Sequence, residues 1–324
     1  MNKFYMTVGL PGSSKSTWAE INKEKLNFTI HSSDAIREEL GDVNDQSKND
    51  LVFNTLHKRI KEDLLNGKNV CYDATNLLRK RRMNFISNEL KNIPCEKVCV
   101  LFATPYEVCL KNNTNRERKV PEEVIERMVK NFDVPCKQEG WNDIQIVWWD
   151  YEKEGMKFDF KDDVEKWRSV SHDNPHHTLS IGDHMIKAHD WFVENGDVLT
   201  FDGLTFQKDD ILLIYAIMMH DCGKAFTKEF KNSKGEPSET AHFYQHHCVG
   251  SYLSLFYLKD WRDDGFTIFD ENSILYISLL IGLHMNPFLK WKNSKKAEEK
   301  DRKLFGDKII DSVLKLHQAD LAAH

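Results

Sequence analysis

The sequence predicts an α/β domain, a parallel sheet flanked by helices, followed by an all-α domain. Three observations predict it. Short apolar strands alternate with amphipathic helices through the first half, a glycine-rich turn follows the first strand, and histidine usage changes abruptly along the chain. His31 and His57 are the only histidines before residue 160, and the other 12 of the 14 come after it. The boundary falls in the highly charged stretch EKEGMKFDFKDDVEKW, which places the domains at 1–155 and 165–324.

Composition narrows the class. A length of 324 residues suits two domains, and 40% hydrophobic with 30% charged residues suits a soluble globular protein. A net charge of -6 excludes a generally basic nucleic-acid coat but leaves room for a local basic groove. The seven cysteines form no C-x-x-C pair, so reduced thiols in a cytoplasm are expected. No secretory leader is expected, since the chain turns polar from Thr7, and the apolar run ILLIYAIMM is too short to span a bilayer. It reads as a buried helix, and the protein as cytoplasmic with no membrane partner.

The elements follow in order. Residues 4–8 form a strand and 16–25 a helix; 27–31 form a strand running into Ser32, Ser33 and Asp34. Residues 50–66 have helical spacing and stop at Gly67. Residues 70–72 form a strand running into DATN, 79–91 a helix, and 98–103 and 144–148 two continuous apolar strands. Parallel sheets of this kind bind ligands at the carboxyl ends of their strands, where these polar residues fall.

GLPGSSKST occupies the first such end. Gly9 and Gly12 let the backbone turn so that successive N–H groups face phosphate oxygens, with Ser13, Ser14 and Thr17 completing the cradle. Lys15 reaches the β and γ phosphates of ATP or another NTP, and Ser16 coordinates Mg²⁺. The plainer reading is a strand–turn–helix with a surface lysine; the strand before and helix after favour the phosphate loop. Asp34 could act as general base toward an attacking hydroxyl, with Arg37 holding an acceptor phosphate; a capping aspartate with a solvent arginine fits the spacing equally well. Asp73 is placed to hold Mg²⁺ through water, or to cap the following helix. Arg116 and Arg118, ahead of Pro121, suit a lid over the transferring phosphoryl, or a solvated charged helix.

Taken together, GLPGSSKSTWA, SSDAIREEL, YDATNL with RKRRMNF, and NRERKVPEEVIERM resemble the P-loop 5′-polynucleotide kinase family from residue 1 to about residue 150. The resemblance implies that Lys15 and Ser16 bind donor phosphates and metal, that Asp34 is the general base toward a polynucleotide 5′-hydroxyl, that Arg37 contacts the acceptor phosphate, and that Arg116 and Arg118 are the lid arginines. Ser14 departs from the pattern, standing where the family usually has glycine.

The second half reads as almost wholly helical. MMHDCGK puts His220 and Asp221 at the end of the buried helix, which suits a divalent metal. His176, His177, His184 and His189 lie upstream; His246, His247, His284 and Asp320 lie downstream. Any one of these alone is more often a core or surface histidine, but the set is dense. Mixed imidazole and carboxylate favour one or two ions of Mn, Fe, Co, Ni or Zn over a cysteine-rich structural zinc site. The ordered H…HD…H…H…D pattern resembles the HD-domain metal-dependent phosphohydrolase superfamily over residues 172–324. That resemblance implies His184, His220, Asp221 and Asp320 as core ligands, His246 and His284 at a second metal position, and Lys224 on the substrate phosphate.

The pairing resembles bacterial and phage end-healing enzymes. It implies a 5′-hydroxyl kinase joined to a hydrolase of 2′,3′-cyclic or terminal 2′/3′ phosphates, acting on RNA or DNA ends and served by a separate RNA ligase. Two alternatives stay open: a nucleotidase for free nucleotides with a regulatory NTP-sensing domain, and a non-catalytic RNA-binding P-loop module that delivers ends to the hydrolase.

Overall fold

The computed structural model describes residues 1–41, 47–116, 118–175, 177–195 and 208–324, the side chains of 208–210 excepted. His176, among the candidate ligands, lies outside the described residues. The chain divides into two compact units, one of residues 1–128 and 135–154, the other of 129–134 and 155–324.

The first unit is built on five parallel strands: β1 (Lys3–Val8), β2 (Phe28–Ser32), β3 (Asn69–Asp73), β4 (Glu96–Ala103) and β5 (Asp143–Trp148), ordered β2-β3-β1-β4-β5. The strands are nearly continuous apolar runs because helices cover both faces of the sheet. The helices are α1 (Lys15–Leu26), α2 (Ser33–Glu39), α3 (Asn49–Leu65), α4 (Arg79–Asn84), α5 (Tyr106–Thr114) and α6 (Glu122–Val129). Tyr5, Ala19, Phe28, Cys71, Val98, Val100 and Phe102 form one core cluster between the sheet and α1. The chain order reverses direction at β1, so the turn after it lies at a switch point of the sheet, where α/β folds open a ligand crevice. The helix expected over 79–91 is interrupted: α4 passes into a π-turn at Phe85–Glu89.

The second unit is mainly helical: α7 (Phe160–Trp167), α8 (Ile181–Asn195), α9 (Lys208–Met219), α10 (Lys224–Thr227), α11 (His246–Asp263), α12 (Glu271–Leu283), α13 (Lys295–Phe305) and α14 (Asp307–Ala322). The all-α expectation needs one correction. An antiparallel pair, β6 (Glu229–Lys231) and β7 (Pro237–His242), joins α10 to α11 through a turn at Gly235. The sequence signal there is weak because only Ala241 of the two strands is buried. The helices α11 and α12 pack along each other, α12 packs on α9, and α8 packs on α9 and α14. Glu271–Trp291 is long and apolar enough to cross a membrane, but 67% of its most apolar window is buried, as in a core helix. The free cysteines form no disulfide among the described residues, and all but Cys248 are buried.

Candidate active sites in the two units

In the first unit the turn after β1 is shaped by two residues with positive φ. Gly12 has φ +82°, and a Cβ there would lie 2.3 Å from the Cys109 carbonyl oxygen, so glycine is required on two counts. Ser14 has φ 65° and caps α1 in the left-handed region without a side-chain hydrogen bond. A non-glycine residue there costs on the order of 1–3 kcal/mol, which gives a physical reason for glycine at this position in related loops. Ser14 keeps its backbone N–H, so the donor set for a phosphate survives the substitution.

A cavity of about 720 Å³ opens over this turn, lined by Lys15, Ser16, Asp34, Arg37, Asp73 and Arg116 among others. Lys15 is buried, and its Nζ donates to the Leu10 carbonyl at 2.6 Å and to Ser13 Oγ at 3.2 Å. Burial lowers its pKa to about 8, partly offset by the nearby Asp73 carboxylate. Ser16 Oγ donates to Asp73 Oδ2 at 2.6 Å, and Thr7 Oγ1 lies 3.3 Å from Asp73 Oδ1. The serine hydroxyl and the carboxylate are thus oxygen ligands side by side, a donor set that suits Mg²⁺ held through one or two protein groups.

At the end of β2, Ser32 caps α2 by accepting the N–H of Asp34. The Asp34 side chain therefore does not cap the helix; it is ion-paired with Arg118, with Arg116 Nη2 4.0 Å away. Arg37 is buried, donates to Asn49 Oδ1 at 2.6 Å, and lies 5.9 Å from the centre of the Phe53 ring. The loop after β3 is fixed by Arg82, whose guanidinium donates to the Asn76 and Leu77 carbonyls and makes a buried two-point pair with Glu139 at 2.6–2.7 Å. Sequence reading passed over Arg82, because an arginine in the run RKRRMNF looks solvated until Glu139 is found beside it.

In the second unit, six candidate residues from widely spaced elements converge. His184 on α8, His220 and Asp221 just past α9, and Asp320 on α14 present ligand atoms within 4.8 Å of one another, and Asp221, His246 and His284 do the same. His246 opens α11 and His284 caps α12. Asp221 belongs to both groups: Oδ2 lies 3.4 and 3.3 Å from Nε2 of His184 and His220, and Oδ1 lies 3.3 and 3.8 Å from Nε2 of His246 and His284. The HDCG turn sits tightly against α11 because Gly223 has no Cβ; one would lie 2.1 Å from the His246 carbonyl oxygen.

The tautomers follow from the backbone. Nδ1–H of His220, His246 and His284 donates to the carbonyls of Ile217, Phe243 and Ile281 at 2.7, 2.9 and 2.7 Å. In each neutral ring the lone pair is then on Nε2, facing inward. Yet Nε2 of His220 is 3.3 Å from Nε2 of His184, and Nε2 of His246 is 3.1 Å from Nε2 of His284. The lone pairs of His246 and His284 do not face each other at such a distance without a cation or a proton between them, whereas His184, whose Nδ1 has no acceptor, can carry its proton on Nε2 beside Asp320 and His220. Asp221 Oδ2, although ringed by nitrogens, is not lined up as the acceptor of any hydrogen bond. These residues fit one or two divalent metals of the kind that accept imidazole and carboxylate together. Burial lowers the His220 pKa, but the Asp221 and Asp320 carboxylates outweigh it and push it up to about 10. Burial lowers His184, His246 and His284.

Lys224 lies 2.7 Å from Asp221 Oδ2 and donates to His172 Nε2 at 3.1 Å. His172 anchors its Nδ1–H on the Leu179 carbonyl at 2.7 Å, and burial and then Lys224 lower its pKa to about 4, so it stays a neutral acceptor. His172 was not among the candidates. His189 points elsewhere, pairing with Asp190, and His247 is outside both ligand groups.

Comparison with known proteins bears on the first unit. Residues 4–135 match the family model described as "AAA domain". An L-seryl-tRNA(Sec) kinase from Methanococcus maripaludis is 30% identical over 139 residues, 41% of this chain. The match spans about half of that relative, 54% of its length. A structure of the Pnkp1/Rnl/Hen1 RNA repair complex contains a chain 22% identical over 40% of this chain and 43% of its own, with a TM-score of 0.37. A candidate kinase from Chloroflexus aurantiacus is 14% identical over 51% of this chain and 93% of its own, with a TM-score of 0.41. Over residues 4–135 the first unit is similar to P-loop kinase-like α/β domains, a parallel sheet flanked by helices.

Proposed function

We propose that the protein is a bifunctional, cytoplasmic RNA-end-healing enzyme. Its first unit phosphorylates polynucleotide 5′-hydroxyls, and its second, an HD-type phosphohydrolase, removes 2′,3′-cyclic or terminal 2′/3′ phosphate. A single observation carries the reading: one chain joins a phosphate-loop cavity bearing a carboxylate and an arginine to a convergent set of imidazoles and carboxylates. The first can add a phosphoryl group and the second can remove one. Both changes are needed before a ligase, supplied as a separate partner, can join cleaved RNA.

In the kinase, Lys15 and the N–H groups of residues 12–17 hold the donor phosphates, and Ser16 with Asp73 would hold Mg²⁺, which neutralises charge on the β and γ oxygens when bound. Asp34 takes the proton from the 5′-hydroxyl as its oxygen attacks the γ-phosphorus and the bond to the bridging β,γ-oxygen breaks. Arg37 holds the acceptor phosphate. Arg116 and Arg118, paired with Asp34 in this state, must turn toward the donor to free that base. In the hydrolase, His184, His220, Asp221 and Asp320 would hold one transition-metal ion and Asp221, His246 and His284 a second. Such ions would supply hydroxide near neutral pH and draw charge from the phosphate. Lys224, held by His172, offers its ammonium to a phosphate oxygen, and water ends as the new P–O bond while the ribose oxygen leaves protonated.

Transfer from γ-labelled ATP to a 5′-hydroxyl RNA tests the kinase half, with Lys15→Ala and Asp34→Ala as controls. No transfer by the wild type under any divalent metal would sink the kinase half and leave the regulatory NTP-sensing and non-catalytic RNA-binding readings of the P-loop domain.

A further inference from the structure

Beyond the two ligand groups used above, the structure carries a third. His177, His184 and His324 each place one imidazole nitrogen within 4.8 Å of the other two. The rings of His177 and His324 are 4.4 Å apart, and each is just over 5 Å from His184. Two independent features mark the group. Nδ1 of His177 and Nδ1 of His184 are both buried with no hydrogen-bond partner, an unfavourable state that a bound cation would relieve. The His177 ring is also held in place: it stacks on His172 at 4.0 Å and 9°, and His172 is pinned by Leu179 and Lys224.

We propose that His177, His184 and His324 hold a further divalent cation, beside and separate from the pair centred on Asp221. Three imidazoles suit Zn²⁺, Co²⁺ or Ni²⁺ and are poor ligands for Mg²⁺ or Ca²⁺. Asp320 supplies a carboxylate alongside, its Oδ1 lying 3.6 Å from His324 Nε2 and 3.0 Å from His184 Nε2. His184 belongs to both groups, with Nε2 directed at Asp320 and Nδ1 unpartnered; when both cations are bound it gives its N–H proton to solvent and bridges them as an imidazolate. His324 is exposed and His177 half-buried, whereas Asp221, His246 and His284 are all buried. The outer cation therefore exchanges with solvent faster than the inner pair, and its loading follows the free metal concentration. It extends the metal set of the proposed hydrolase, on which reading its catalytic relevance rests; its existence does not depend on that activity.

The test is metal counting on the full chain without nucleotide. Protein stripped with a chelator is loaded with Zn²⁺, freed of excess, and analysed for zinc per chain as the wild type, His324→Ala, His177→Gln and the double variant. Each variant is expected to lose one zinc relative to the wild type and to keep the rest, with an unchanged circular dichroism spectrum. A brief chelator challenge should strip that same zinc first. Equal zinc content in wild type and variants would overturn the outer position while leaving the inner pair standing. Loss of all zinc in His324→Ala would also overturn it, since His324 would then serve the inner pair. A wild type that binds no zinc or cobalt would sink both.

Discussion

The two sites differ in how their polar groups are satisfied. In the phosphate-loop cavity each candidate already has a protein partner: Lys15 folds onto Leu10, Ser16 donates to Asp73, and Asp34 is held by Arg118. A ligand there must displace contacts one by one, which suits a substrate that comes and goes. In the histidine cluster, like groups face each other across about 3 Å, and a buried carboxylate oxygen lacks an aligned donor. That arrangement, with the Lys224 ammonium 2.7 Å from Asp221 Oδ2, is of a kind that suits a divalent cation. Contiguous sequence builds the first site from a handful of strand ends; the second is assembled from four helices and the turn after α9.

The contrast can be broken most severely at Asp221, the residue common to both inner ligand groups. Asp221→Ala is expected to abolish measurable phosphate release, because it removes a ligand from each of the two proposed metal positions at once. The 5′-kinase should be unchanged in the same preparation, and loss of both activities would argue against independent sites.

Next in size is Asp34→Ala, expected to slow phosphoryl transfer by about 10²–10⁴-fold, the range for loss of a general base, with KM for ATP little altered. A variant that keeps its rate would make Asp34 an anchor for Arg118 and nothing more.

A smaller effect is set by pH. Lys15 titrates near 8 in the folded protein, below its ordinary 10.5, because it is buried. Its charge is present below about pH 8 and is lost above it, so ATP affinity measured by calorimetry should fall as pH rises from 7 to 9. For stability the sign is reversed: between 8 and 10.5 the unfolded chain binds the proton more tightly, so this group favours folding more as pH rises. ATP affinity flat across that window would show that Lys15 is not the phosphate contact.

The smallest change is Ser14→Gly. Relief of the left-handed strain is worth about 1 kcal/mol, less the entropy that glycine adds to the unfolded chain. The melting temperature should move by no more than a few degrees and the kinase rate should hold or rise modestly. A kinase lost in Ser14→Gly would mean the hydroxyl itself is used.

How much of this was legible depended on whether the signal was local. The strands of the first unit could be read from continuous apolar runs, and the turn after β1 from glycine spacing, because neighbours in sequence set both. The interruption of α4 could not be read, since a π-turn leaves the composition of a helix unchanged. Histidine density pointed to the second site, yet His172 escaped notice: a single histidine in SVSHDNP has no pattern, and its partner Lys224 is 52 residues away. Gly223 carries no local signal within MMHDCGK; the reason for it, the close approach of the His246 carbonyl, exists only in three dimensions. Ser32, two residues before Asp34, takes the capping role that the spacing left open to Asp34.

The central claim is that one chain adds phosphate at one end of a break and removes it at the other. One reaction tests it most directly: an RNA with a 5′-hydroxyl and a 2′,3′-cyclic phosphate, incubated with the wild-type protein, ATP, Mg²⁺ and a panel of transition metals, with both ends followed by mass spectrometry. A gain of phosphate at the 5′ end and its loss at the 3′ end are expected, the second dependent on the transition metal and the first not. Untouched RNA ends, with free nucleotides hydrolysed instead, would contradict it.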